Sequence, residues 1–375
     1  MSKIGDLGHR LYVGDVSYNF VGRRKLWYTI SAVLLLITLG SLFVRGLNLG
    51  IEFRGGAEFQ VPQSSCTIEQ ARDTVEKTGE SQAIVTQLGS GSLRIQTGEV
   101  TPVKGEEIAE ALADACGVEA NDIKMQLIGP TWGADISRKA LQALVVFVIL
   151  VTIFLSIYFE WKMAVAALVA LAHDLVITIG IYSILGFEVT PATAIGMLTI
   201  LGYSLYDTVV VFDKVKENTR GISGQSRITY SEAANLAVNQ TLVRSINTSI
   251  VALVPVAAIL FVGAGLLGAG TLKDLALALF VGMAAGAYSS IFVATPLLAQ
   301  LKEQDPDMQA LARRVAARGK RDAEALTSPR PTAGAATARA QVSAPVARAG
   351  ESGVTETGTR AQPRKQSRAK RRKRR

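Results

Sequence analysis

Six stretches of this chain are apolar at almost every position: 26–44, 140–159, 163–186, 191–212, 242–262 and 272–298. Polar connections separate them. Each reaches or exceeds the roughly 17–20 residues that a helix needs to cross about 30 Å of hydrocarbon. Six membrane-spanning helices are therefore predicted. The last stretch is overlong, so it is expected to tilt or fray. Arg23, Arg24 and Lys25 precede the first stretch as in a secretory signal, but the apolar run is too long for one. Phe43, Val44 and Arg45 stand where small residues would mark cleavage. The first stretch is expected to stay as an anchor.

Between the first two stretches the pattern changes. Residues 58–61, 83–88, 93–97 and 124–128 read as short strands, with a turn at 89–92. Thr67 with Gln70 forms a capping-box signature before a helix at 68–77. Ile108, Ala111, Leu112 and Ala115 repeat at helical spacing within 105–116. The order β-α-β-β-α-β is the split βαβ, ferredoxin-like pattern. Both cysteines, Cys66 and Cys116, lie here. If the two helices run roughly parallel, the cysteines sit at opposite ends, beyond the ~7 Å Cα limit for bridging. No disulfide is expected on that arrangement.

Charge sets the orientation. Lys3, Arg10, Arg23, Arg24 and Lys25 precede the first span, and Lys214, Lys216, Arg220, Arg227 and Arg244 lie between the fourth and fifth. The connections 187–190 and 263–271 hold no Lys or Arg. By the positive-inside rule both termini are cytoplasmic and the segment after the first span is exported. The resulting division is 1–25, a cytoplasmic N-terminus; 26–44, the first span; 45–139, an exported α+β domain; 140–300, spans two to six; and 301–375, a cytoplasmic basic tail. The net charge of +9 is matched by the nine Lys and Arg of 364–375, so the remainder is near neutral. A helix is expected to extend over 308–317, with disorder beyond it. The basic tail suits anionic lipid or ribosomal RNA, or is a solvated end that aids topology.

A few polar side chains interrupt the apolar runs. Asp174, after His173, falls near the middle of the third span, and Asp207 lies in the fourth. A carboxylate there costs roughly 2.5–3.5 kcal/mol on insertion scales. Tyr203 and Ser204 lie one turn before Asp207, within hydrogen-bond reach of it, and Arg244 opens the fifth span ahead of Asn247, Thr248 and Ser249. The fourth and fifth spans run antiparallel, which brings Asp207 and Arg244 to similar depth. Two readings stand: a carboxylate that exchanges a proton as Arg244 moves, or a permanent ion pair that fixes helix register. For Asp174 a structural role, satisfied by His173 or by a helix-cap contact, is the favoured reading. Asp213 and Glu217 are expected to be solvated. Gly282 and Gly286 form a small-xxx-small face for close helix packing, Pro191 suits a first helical turn, and Pro255 should kink the fifth span.

Other chemistry is unsupported. Gly263, Gly265 and Gly268 match a dinucleotide fingerprint by spacing, but no strand precedes them. There is no phosphate-binding loop motif. His9 and His173 are the only histidines, so no metal or other cofactor and no enzyme activity is expected.

These features together resemble the SecF family, a subunit of the bacterial Sec translocase accessory complex. The resemblance rests on six spans with a large domain after the first, GIEFRGG at 50–56, Ile128-Gly129-Pro130, Ala172-His173-Asp174, LGYSLYDTVVVFDKVKEN at 201–218, Arg244 and Asn247-Thr248-Ser249. It covers about residues 20–300. Glu52 stands where the first motif commonly has Asp. The resemblance implies half of a resistance-nodulation-division-type bundle in the cell membrane. It also implies pairing with SecD, action with the SecYEG channel and indirectly with SecA, and polypeptide as cargo driven by the proton motive force. By motif position Asp207 is then the proton-carrying acid and Arg244 its basic partner, with Asp174 a further candidate. A half-transporter for a small molecule or lipid and a non-transporting scaffold are the alternative classes.

Overall fold

The computed structural model describes residue 10 and residues 16–62, 66–80, 83–88, 91–264 and 270–327. Among these, six helices are long and apolar enough to cross a membrane: Arg24–Arg45, Thr131–Tyr158, Trp161–Leu185, Pro191–Gly224, Tyr230–Val262 and Lys273–Glu303. They are numbered here as the first to sixth spans. The helices run further than the apolar runs because their polar ends are capped. Pro130 opens the second at its first turn, after Gly129. Thr190 and Thr193 form a capping box at the start of the fourth, with Pro191 at the first turn. Thr229 and Glu232 do the same for the fifth, which therefore begins at Tyr230, well before its apolar run.

The third, fourth and sixth spans form the centre of the bundle, and the first, second and fifth leave most of their apolar windows facing outward. The glycine face of the sixth span lies against the fourth. A Cβ on Gly282 would come within 2.3 Å of Ile200 Cδ1, and one on Gly286 within 2.8 Å of Ser204 Cβ. Only glycine admits this approach. The fifth span holds Pro255 within its helix and passes into a π-turn at Ile259–Ala264. The sixth span, overlong by its apolar run, carries a π-turn at Ser290–Ala294 between the helical segments Gly270–Ser289 and Thr295–Glu303. Pro296 explains its position: the ring has no N–H to give the preceding turn and crowds the carbonyl four residues back.

The segment between the first two spans is an α+β unit. Strands β2 (Gly56–Val61), β3 (Ile84–Gln87), β4 (Leu93–Thr97) and β5 (Lys124–Ile128) form a sheet in the order β3-β4-β2-β5, after the two-residue strand β1 (Asn48–Leu49). Every pair in this sheet is antiparallel. Helices Ile68–Lys77 and Pro102–Cys116 complete the predicted β-α-β-β-α-β order. Phe59, Val61, Ile95, Ile108 and Leu112 are its fully buried centre. The turn at 89–92 lies partly, and the glycines Gly265 and Gly268 wholly, outside the described residues.

The cysteine expectation is overturned. Cys66 and Cys116 form a disulfide, with their Cα atoms 4.7 Å apart. The error lies in the helix directions. β2 and β4 are antiparallel neighbours, and each is followed by a helix returning against it. The two helices therefore run antiparallel. The start of one and the end of the other share one edge of the domain.

An unforeseen link ties this domain to the bundle. β1 pairs in parallel with β6 (Glu188–Val189), which lies between the third and fourth spans. Beyond the sixth span a helix runs over Pro306–Thr327, so it contains and exceeds the expected 308–317. The described residues up to 322 form one compact unit. The basic cluster at 364–375 lies outside the described residues.

Candidate proton-coupling site

Asp174 has no exposed surface and Asp207 is 4% exposed. Each is held by hydroxyl groups from neighbouring helices. Asp174 Oδ2 accepts from Ser204 Oγ of the fourth span at 2.5 Å and from Ser289 Oγ of the sixth at 2.7 Å. Its other oxygen lies 3.1 Å from His173 Nδ1. Asp207 Oδ2 accepts from Ser290 Oγ at 2.5 Å. Ser204, Ser289 and Ser290 have no exposed surface. The His173 ring stacks on Tyr288, and its buried Nε2 has no hydrogen-bond partner. An acid–serine–imidazole cluster thus occupies the seam of three helices, where apolar side chains surround it.

Three sequence expectations change in detail. Ser204 reaches Asp174, not Asp207, because the third span passes on that side of the fourth. His173 does contact Asp174, as expected, but two serines hold it as well. Arg244 makes no ion pair with Asp207 in this structure. Its Nη2 donates to the Tyr206 hydroxyl at 3.4 Å. The guanidinium is exposed and lines a groove of about 430 Å³ with Tyr158, Asp213, Glu217 and Gln240. Asp213 and Glu217 are exposed, as foreseen. Ser289 and Ser290 were missed. The only sequence signal was two adjacent hydroxyls inside an apolar run, which most often bond their own helix backbone.

Charged side chains gather at the two ends of the bundle. At one end Arg24 pairs with Glu303 at 2.6 Å and Lys162 with Asp305 at 2.5 Å. At the other, Arg94 of β4 pairs with Glu58 at 3.1 Å and with Glu188 of β6 at 2.9 Å. Glu52 Oε2 is buried beside them without a hydrogen-bond partner. Burial pushes the Glu52 carboxyl above the ordinary range; Glu188 and Glu58 add to the rise, while a backbone hydrogen bond and Arg94 oppose it. Among the described residues no group of three or more His, Cys, Asp or Glu side chains is arranged to hold a metal ion.

The arrangement resembles known proteins at every level. Residues 108–304 match the family "Protein export membrane protein SecD/SecF, C-terminal", and residues 40–62 match the "SecD/SecF GG Motif". The protein translocase subunit SecF of Streptomyces coelicolor is 56% identical over 319 residues, covering 85% of this chain and 86% of that one. SecF of Mycobacterium tuberculosis is 43% identical over 326 residues, covering 82% of this chain and 74% of that one. The crystal structure of SecDF from Thermus thermophilus, a translocon-associated membrane protein, superposes with a TM-score of 0.68 at 30% identity. It covers 77% of this chain, which spans 39% of the SecDF chain. With its six spans, its α+β unit after the first and both motif regions matched, the chain belongs to the SecF family of protein translocase subunits.

Proposed function

We propose that this chain uses the proton motive force to assist polypeptide export, as one half of a unit completed by SecD and working beside the SecYEG channel, with SecA acting indirectly. Asp207 carries the proton, Arg244 is its mobile basic partner, and Asp174 is a second acid in the same network. The observation that carries the reading is the pair of acids buried in the seam of three apolar helices. Such groups are expensive in a membrane and mark ion pathways by default. The chain length fits a half-unit, since it spans 39% of the SecDF chain. The Lys and Arg distribution supports cytoplasmic termini and an exported α+β domain. The basic tail then faces the leaflet where anionic lipid, or the ribosome, is found.

The energy suffices. One proton crossing 100 mV releases about 2.3 kcal/mol, which shifts a two-state element by roughly forty- to fifty-fold. A permanent Asp207–Arg244 pair would serve only to fix register. That alternative needs a contact which the two side chains do not make here, since Arg244 bonds Tyr206. Proton uptake by vesicles containing this chain with its SecD partner tests the reading. Uptake should depend on Asp207 and Arg244, and equal uptake by Asp207→Asn would remove Asp207 from the pathway.

A further inference from the structure

The two buried acids lie on different helices, yet consecutive residues of the sixth span hold both. Ser289 donates to Asp174 and Ser290 to Asp207. Neighbouring positions on a helix point about 100° apart, so one residue faces the third span and the next the fourth. Both serines stand where the α-helix gives way to the π-turn Ser290–Ala294. Thr295 Oγ1 donates to the Ser290 carbonyl at 3.2 Å, which occupies a backbone acceptor there. Single π-turns inside α-helices recur at functional sites.

Each serine has a second acceptor in reach. Ser289 Oγ lies 3.3 Å from the Gly286 carbonyl, and Ser290 Oγ lies 3.3 Å from the Ala287 carbonyl. A hydroxyl has one proton to give and two lone pairs to receive. With the acid ionised, the serine donates to the carboxylate. With the acid protonated on Oδ2, the carboxyl O–H donates to the serine oxygen, and the serine proton turns to the carbonyl three residues back in its own helix. Every group stays bonded in both states, and no helix has to move.

We propose that Ser289 and Ser290 are positioning residues that keep Asp174 and Asp207 hydrogen-bonded in both protonation states and bring both acids to one turn of the sixth span. This rests on the proton-carrying reading of Asp207. The other polar and ionisable neighbours are His173 beside Asp174, Tyr288 stacked on that ring, Tyr203 and Tyr206 on the fourth span, and Arg244 on the fifth. None of them supplies the hydrogen bond that Ser290 gives to Asp207.

Infrared difference spectra of the full chain in lipid vesicles, recorded between acid and neutral conditions, test the inference. A carboxyl band missing in Asp207→Asn is assigned to Asp207, and one missing in Asp174→Asn to Asp174. Ser290→Ala should move the Asp207 band and leave that of Asp174, while Ser289→Ala should do the reverse. Ser290→Thr should restore the original position. Proton uptake should fall roughly tenfold in Ser290→Ala, as for one lost hydrogen bond to a charged group. If Ser290→Ala does not fold, Ser290→Cys, close in size but a weak donor, carries the same expectation. An Asp207 band that the serine variants leave unmoved overturns the inference alone. If no band depends on Asp207, the proton-carrying reading falls and the inference with it.

Discussion

Arg94, in the sheet of the α+β domain, pairs with Glu188 between the third and fourth spans at 2.9 Å. Glu188 also accepts from Gln96 at 2.7 Å, and its strand β6 lies alongside β1. One carboxylate thus anchors the domain to the bundle. Removing it leaves the half-buried Arg94 with Glu58 alone. Hydrogen bonds to charged groups are worth about 1.5–3 kcal/mol, so Glu188→Ala should open the β1–β6 pair. Amide exchange at residues 48–50 and 187–189 is expected to quicken about tenfold or more, while β2 and β4 stay protected. Unchanged exchange would show that this ion pair does not hold the domain.

Glu52 gives this junction a pH dependence. Burial leads the causes that raise its carboxyl above the ordinary value. The native state therefore holds the proton more tightly than the unfolded chain does. As pH rises from about 4.3, the ordinary carboxyl value, through the raised native value, stability is lost. Below that window both states are protonated and the group contributes nothing. Glu52→Gln should therefore melt at a higher temperature than the wild type near neutral pH, with the difference vanishing at about pH 4. A variant less stable at neutral pH would mean that the ionised carboxylate is stabilised there.

The disulfide closes a loop of 50 residues in sequence. Loop entropy of this size corresponds to about 4 kcal/mol. Reduction, or the double variant Cys66→Ser with Cys116→Ser, should lower the stability of the α+β domain by that amount and leave the six spans inserted. Mobility on a non-reducing gel shows the bond, and protease resistance of the domain reads the stability. Equal protease resistance in both redox states would show that the sheet needs no covalent tie.

Glycine at 286 keeps Ser204 against Asp174. A side chain there meets Ser204 Cβ at 2.8 Å and its Cα at 3.1 Å, so backbone would have to shift. Overpacking of this kind costs about 1–3 kcal/mol. Gly286→Val is expected to lower the melting temperature and to reduce proton uptake. Gly202→Ala, where a Cβ meets nothing within 4 Å, should do neither. If both variants behave alike, close packing of the fourth and sixth spans is not what the glycine provides.

Much of this fold could be read from local patterns. Apolar length fixed the six spans, and the Thr67–Gln70 box and the alternation at 93–97 located elements to within a few residues. Long-range geometry was less accessible. Helix direction in the α+β unit follows from strand pairing, which no local pattern records, so the cysteines were placed at opposite ends. Asp174 and Asp207 stood out because a charge in hydrocarbon is costly whatever surrounds it. Their serine donors did not, because a serine in an apolar helix can satisfy itself on its own backbone. Spacing within one helix could not say that Ser204 faces the third span. The Arg94–Glu188 contact joins positions 94 residues apart in sequence and leaves no local trace.

The central claim is that Asp207 couples proton movement to export. Pulse-chase measurement of late export, with and without an uncoupler, in cells carrying wild type or Asp207→Asn tests it most directly. The account predicts that the uncoupler slows export in the wild type. Asp207→Asn should assemble normally, export slowly in both conditions and ignore the uncoupler. Export at the wild-type rate by Asp207→Asn, still slowed by the uncoupler, would contradict it.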